Sequence, residues 1–214
     1  MQISKGDGSV ILAGLVLSWR SWRPSLALSH ISNAIHWTKL AELHQVLPIL
    51  NDNAAKWMLD MPNPDLDRIH DLAESAYLDL ASQNNPRAAA NTCITLSEVE
   101  MRRGNFDKAL MYVRKGLTEL PPEIPGPKAS LFSQEAKVLF RLGKFDESFM
   151  QLDRAMEHMR TMPPDRELAT HWGEIARVYV DMGHKDLAIY AYEQAIAVGN
   201  AAQAEQKVLA EAIY

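Results

Sequence analysis

The chain has 214 residues, 47% of them hydrophobic, which suffices for the core of one large domain, two small ones or one continuous array. A formal charge of -5, from 22 basic against 27 acidic residues, argues against a nucleic-acid partner, whose phosphates demand concentrated basic charge. The one cysteine, Cys93, excludes an intrachain disulfide and points to a reducing, cytoplasmic setting; it reads as a small buried apolar residue on a helix.

The longest apolar run, Val10 to Leu17, is too short to span a bilayer, and Arg20 and Arg23 break the pattern of a secretory signal, so no membrane partner is expected. Ser9 suits the N-cap of a helix running to about Arg20, and Pro24 opens a second through about His36. A third is expected from Thr38 to Leu47, ended or kinked by Pro48, followed by a turn at Asn51 to Asn53 and a short helix, Ala54 to Met61. Trp19, Trp22, Trp37 and Trp57 crowd this first quarter and read as packing aromatics at the end of an array. Within Trp19-Arg20-Ser21-Trp22-Arg23 they would alternatively make an exposed docking surface. Asp65 to Ala81 keeps a 3.6-residue period through Leu66, Ile69, Leu72, Ala73, Ala76, Tyr77 and Leu80, and Asn84, Asn85 and Pro86 end that helix.

From Arg87 onward a pattern recurs. Trp172, Ile175, Ala176 and Tyr179 lie on one helical face, Gly183 stops the helix, and Leu187, Ala188, Ala191, Tyr192 and Ala195 resume the period. Cys93, Leu96, Ser97 and Glu100 before Gly104, and Phe132, Glu135, Ala136 and Leu139 before Gly143, are the earlier copies. Glu100 and Glu135 stand at normally apolar places. The three glycines are 39 and 40 residues apart, and two of them share a Gly-x-Phe-Asp context. The final stretch, Ala201 to Tyr214, is expected to form a separate amphipathic helix that covers the end of the stack.

W-x2-I-A-x2-Y followed by A-x3-Y resembles the tetratricopeptide repeat, whose signature is W-x2-L-G-x2-Y, then A-x3-F, then proline; Asn200 stands in place of that proline. The resemblance implies an all-α solenoid of antiparallel helix pairs in a right-handed superhelix, with about eleven helices in all. Residues 1–86 would be irregular helical repeats or a cap, 87–200 three repeats (about 87–121, 129–160 and 169–200), and 201–214 the capping helix. Because a standard repeat has about 34 residues, the excess is expected between units, in Pro121 to Lys128 and Arg160 to Arg166.

The chain contains no phosphate-cradling glycine loop, G-x-S-x-G, C-x-x-C or H-E-x-x-H, and its histidines are scattered without an i, i+4 pair. A non-enzymatic protein without cofactor or metal is therefore expected. The resemblance implies a concave groove lined by the first helix of each unit, carried here by Asn91, Met101, Arg102, Ser133, Lys137, Phe140, Arg141 and Arg177. Arg102, Lys137, Arg141 and Arg177 form a modest basic stripe beside Phe140 and Met101, suited to a peptide or protein of acidic character. Chaperone-binding members of the family clamp a terminal carboxylate with lysine and asparagine, where this chain has Ile94 and Glu98. The leading expectation is thus a peptide-binding interaction module. The alternative is the sensor or regulatory region of a larger bacterial signalling or transcriptional regulator, and an imperfectly capped stack end leaves homo-oligomer formation open.

Overall fold

The computed structural model describes residues 24–212 except 41 and 122, and side chains from 29 to 203 apart from those two positions. The helix expected near Ser9, together with Trp19 and Trp22, lies outside the described residues. Nine α-helices and no strand occur among the described residues, against about eleven helices expected. They are α1 (Pro24–Leu40), α2 (Leu47–Leu59), α3 (Leu66–Ser82), α4 (Pro86–Arg102), α5 (Phe106–Glu119), α6 (Pro125–Arg141), α7 (Phe145–Met159), α8 (Arg166–Asp181) and α9 (Lys185–Ala212). The chain divides into two compact units, Met1–Arg103 and Gly104–Tyr214, a boundary that falls between α4 and α5.

In the first unit α2 packs on α1, α3 and α4, around Ile31, Ala34, Leu50 and Ala54 with Trp57 and Leu72 alongside. The expected helix from Thr38 to Leu47 does not form. Instead α1 runs on to Leu40, Glu42 turns the chain at φ 56, and α2 starts at Leu47 with Pro48 in its first turn. A first-turn proline lacks only an N–H that has no helical partner anyway, so Pro48 opens a helix here instead of ending one. Asn51 to Asn53 are consequently helical, and Asp52 accepts a 2.8 Å hydrogen bond from the Thr95 hydroxyl and pairs with Lys56 at 2.6 Å. Asp65 caps α3 through the Arg68 amide, and Asn85 caps α4 through that of Ala88.

In the second unit α6 packs against α5, α7 and α8, and α9 packs against α8. Gly104, Gly143 and Gly183 sit at φ +80, +75 and +79, the left-handed conformation that costs a side chain strain, and amides beyond Gly143 and Gly183 close back onto the helix. Those closing bonds run from Lys144 to the Leu139 carbonyl and from His184 to the Tyr179 carbonyl. Asn84 performs the same turn at φ 53 after α3. The core is rich in alanine at the crossings, with Ala129, Ala136, Ala155, Ala176, Ala188 and Ala191 letting helices approach while Leu152, Ile175 and Tyr179 fill the space between. Ser148 takes an alanine's place by donating to the Ala136 carbonyl at 2.7 Å.

Both glutamates at apolar places are buried and answered by arginines. Glu100 is fully enclosed and accepts from Arg103 at 2.8 Å, with His70 Nε2 at 3.6 Å; Arg103 also reaches Asp67. Burial opposes the Arg103 charge, but its bonds to Glu100 and Asp67 outweigh that and raise its pKa. Glu135 accepts from Arg114 of α5 at 3.0 Å. The continuation after Val198 also differs from expectation: Gly199 and Asn200 lie inside α9, which runs unbroken to Ala212, since no proline stops it, and no separate capping helix is seen.

Two outcomes follow from this core. Arg103→Ala removes the arginine that answers the buried Glu100 carboxylate and should lower the unfolding free energy by about 3 kcal/mol in urea titration. The double change Glu100→Leu with Arg103→Ala should recover most of that loss, because Leu139 fills the equivalent place one repeat later. His158, stacked on Phe132 at 5.5 Å, has its pKa lowered by burial first and by Lys128 second. The folded chain therefore takes up this proton less readily than the unfolded chain, and stability is complete above about pH 6.5 and falls below it. The wild type should lose more melting temperature between pH 7.5 and pH 5.5 than His158→Gln.

Candidate functional site

The first helices of two neighbouring repeats, α6 and α8, lie side by side in the second unit and enclose a cleft toward their C-terminal ends. Lys137, Phe140 and Arg141 line it from α6, and Val178, Asp181 and Met182 from α8 and its C-cap, around a volume of about 370 Å³. The spacing i, i+3, i+4 puts the three α6 residues on one helical face, as does Val178 with Asp181 and Met182. Phe140 packs on Phe145 at 5.3 Å across the Gly143 turn, and the Arg141 guanidinium lies 5.1 Å from the Phe106 ring centroid. A cation held over an aromatic face keeps its charge and gains orientation. The cleft therefore offers an apolar floor of Phe140, Val178 and Met182, two cationic groups, and one carboxylate, Asp181.

The expected groove residues do not all share this place. Lys137, Phe140 and Arg141 come together, and Arg177 is exposed on α8 one turn before Asp181. Met101 and Ser133 are buried, Ser133 donating to the Ala129 carbonyl, so both serve packing. Arg102 pairs with Glu98 at 3.2 Å and donates to the Leu59 carbonyl, which holds it within the first unit, and Asn91 is half-buried on α4. Val178 and Met182, which line the cleft, were not among the residues expected from the sequence. Their i, i+4 spacing was the available signal. Another, larger cleft of about 550 Å³ in the first unit is walled mainly by apolar residues such as Ile31, Ile35 and Leu72, with Arg68 and Asp71 at its side.

Between α6 and α8 there is also a polar cluster at the other end. The Ser130 hydroxyl donates to Glu174 Oε2 at 2.9 Å and lies 3.0 Å from His171 Nδ1, while His171 Nδ1 and Glu174 Oε2 are 3.3 Å apart. A nucleophilic relay needs the carboxylate on the ring nitrogen remote from the hydroxyl, whereas here both partners meet Nδ1. His171 Nε2 is buried without a hydrogen-bond partner, its nearest carboxylate, Glu167, standing 3.9 Å away. The cluster thus ties two helices together. Among the described residues no group of three or more potential ligands could hold a metal ion, and no helix is long and apolar enough to cross a membrane.

Residues 128–201, from the first turn of α6 into α9, match the family model for the tetratricopeptide repeat. Over that stretch the chain is similar to the tetratricopeptide repeat. A repeat array from Podosopora anserina, named for a kinesin light chain and built of nearly identical TPR-like repeats, is similar in fold: TM-score 0.54 at 15% identity, covering 89% of this chain and 95% of that one. A variant of the same array gives TM-score 0.56 at 15% identity, covering 96% and 99%. At that identity the likeness is one of fold. No curated protein matches the chain in sequence. In tetratricopeptide-repeat terms, the cleft lies between the first helices of consecutive repeats, and Trp172, the signature aromatic, packs against the core and edge-on against Tyr190 at 6.1 Å.

Ser130→Ala removes the hydroxyl that joins α6 to His171 and Glu174. It should cost about 1 kcal/mol of stability, read from the urea midpoint of the chain.

Proposed function

We propose that the chain is a non-enzymatic interaction module whose α6–α8 cleft holds an extended peptide segment of acidic character. The observation that carries this reading is the convergence of Lys137 and Arg141 with Phe140, Val178 and Met182 around one cleft of about 370 Å³, enough for one or two side chains. A large apolar side chain of the peptide sits against Phe140, Val178 and Met182, and flanking carboxylates meet Lys137 and Arg141. Arg177 at the rim extends the same preference along the peptide. Asp181 sets the register, because it accepts a hydrogen bond from a peptide N–H but repels a carboxylate placed beside it. Charge-assisted bonds to an arginine already oriented over Phe106 lose less side-chain freedom on binding than bonds to a free one. Repeats of this family supply the shape, two first helices bordering a cleft, and the residues on them supply the selectivity.

The test is a display library of ten-residue random peptides selected on the purified chain. The wild type should enrich sequences combining Asp or Glu with a large apolar residue. Lys137→Glu with Arg141→Glu should bind the enriched peptides at least about tenfold more weakly, equivalent to ~1.4 kcal/mol, with helicity unchanged. Enrichment of basic or neutral sequences, or equal binding by the double variant, would overturn the reading.

A further inference from the structure

The three second helices of the repeats carry the same apolar positions, counted from the glycine turns. Leu110, Val113 and Leu117 on α5 correspond to Phe149, Leu152 and Met156 on α7, and to Ile189, Tyr192 and Ile196 on α9. In the first two helices most of these positions are covered: Leu110, Val113 and Leu152 are buried, Leu117 is half-buried, and Phe149 and Met156 pack into the cluster that contains Leu168, Ile175 and Tyr179 of α8. On α9 the same positions are open, with Ile189 57%, Tyr192 41% and Ile196 63% exposed. Trp172 meets Tyr190 edge-on at 6.1 Å, and Tyr192 stands outside that contact. An apolar stripe that two preceding repeats bury, left bare on the third, is a face built to be covered.

Charge indicates what covers it. Lys185 and Glu193 border the stripe at its N-terminal end and its middle, both exposed, eight positions apart with Ile189 midway between them. A second α9 laid antiparallel and centred on Ile189 therefore sets each Lys185 opposite the other copy's Glu193. The same register places Ile189 against its own copy and the Tyr192 hydroxyl beside Asp186, which can accept its hydrogen bond. A two-fold contact of this kind closes on itself, so it ends at a pair and builds no filament. We infer that the exposed stripe of α9 is a homodimer interface, in which two copies of this chain pack α9 against α9 in antiparallel orientation, with Ile189, Tyr192 and Ile196 at the centre and Lys185 and Glu193 reciprocally paired. This inference does not depend on what the α6–α8 cleft binds.

Sedimentation equilibrium of the full chain across a concentration series is the test, with circular dichroism as the folding control. The wild type should dimerise, and Ile189→Glu with Ile196→Glu should remain monomeric at unchanged helicity. Lys185→Glu alone and Glu193→Lys alone should each weaken the dimer about fivefold through two lost ion pairs, and the two together should restore it. A wild type that stays monomeric throughout would show that something other than a second copy covers the stripe, overturning the inference. Growth beyond a dimer, a dimer indifferent to the double isoleucine change, or a double charge reversal as weak as either single one would overturn it equally.

Discussion

Every repeat in this chain carries an apolar face that it cannot bury alone. The second unit is arranged around that constraint: alanines at the crossings bring α6, α7, α8 and α9 close enough for Leu152, Ile175 and Tyr179 to be enclosed. Burial of side chains of this size contributes roughly 1.5–3 kcal/mol each, far more than any surface pair in the unit. The glycine turns set the geometry that makes the enclosure repeatable. Gly143 and Gly183, at φ +75 and +79, reverse the chain at the same place in two successive helix pairs.

The same constraint explains the polar residues inside. A buried carboxylate is tolerable only if a cation follows it in, and Glu100 and Glu135 each have one, from Arg103 and Arg114. They are substitutions for apolar residues that keep the packing position while replacing contact with an ion pair. Ser148 solves the smaller version of the problem by returning its hydroxyl to a helix carbonyl. Toward the cleft, α6 and α8 present Lys137, Phe140, Arg141 and Asp181, with Phe140 packed on Phe145 and Arg141 held over Phe106.

Much of the helix pattern was legible because it rests on period and punctuation. The α3 helix with its Asp65 cap and the glycine turns are local consequences of residues within a few positions of one another. The N-terminal third was misread where Pro48 can equally end a helix or open one, and only the packing of α2 against α1, α3 and α4 decides between them. The arginine answering Glu135 lies 21 residues away, so periodicity could identify the anomaly and not its resolution. Within the candidate site, Lys137, Phe140 and Arg141 line one cleft because their i, i+3, i+4 spacing puts them on one helical face. Met101 and Ser133 are buried, Val178 and Met182 line the cleft, and which residues of a helix face the core depends on the neighbouring helices packed on it rather than on the helix's own period.

The claim at the centre of this account is that carboxylates of a bound peptide meet Lys137 and Arg141 directly. Its most direct measurement exchanges the charges on both sides: Lys137→Glu with Arg141→Glu is titrated, by fluorescence anisotropy, with an enriched peptide and with its counterpart in which every Asp and Glu has become Lys. The account predicts that the variant binds the basic counterpart and has lost the acidic original, while the wild type does the reverse. Retention of the acidic peptide by the variant, or failure of the variant to bind either peptide while its fold is intact, would contradict it.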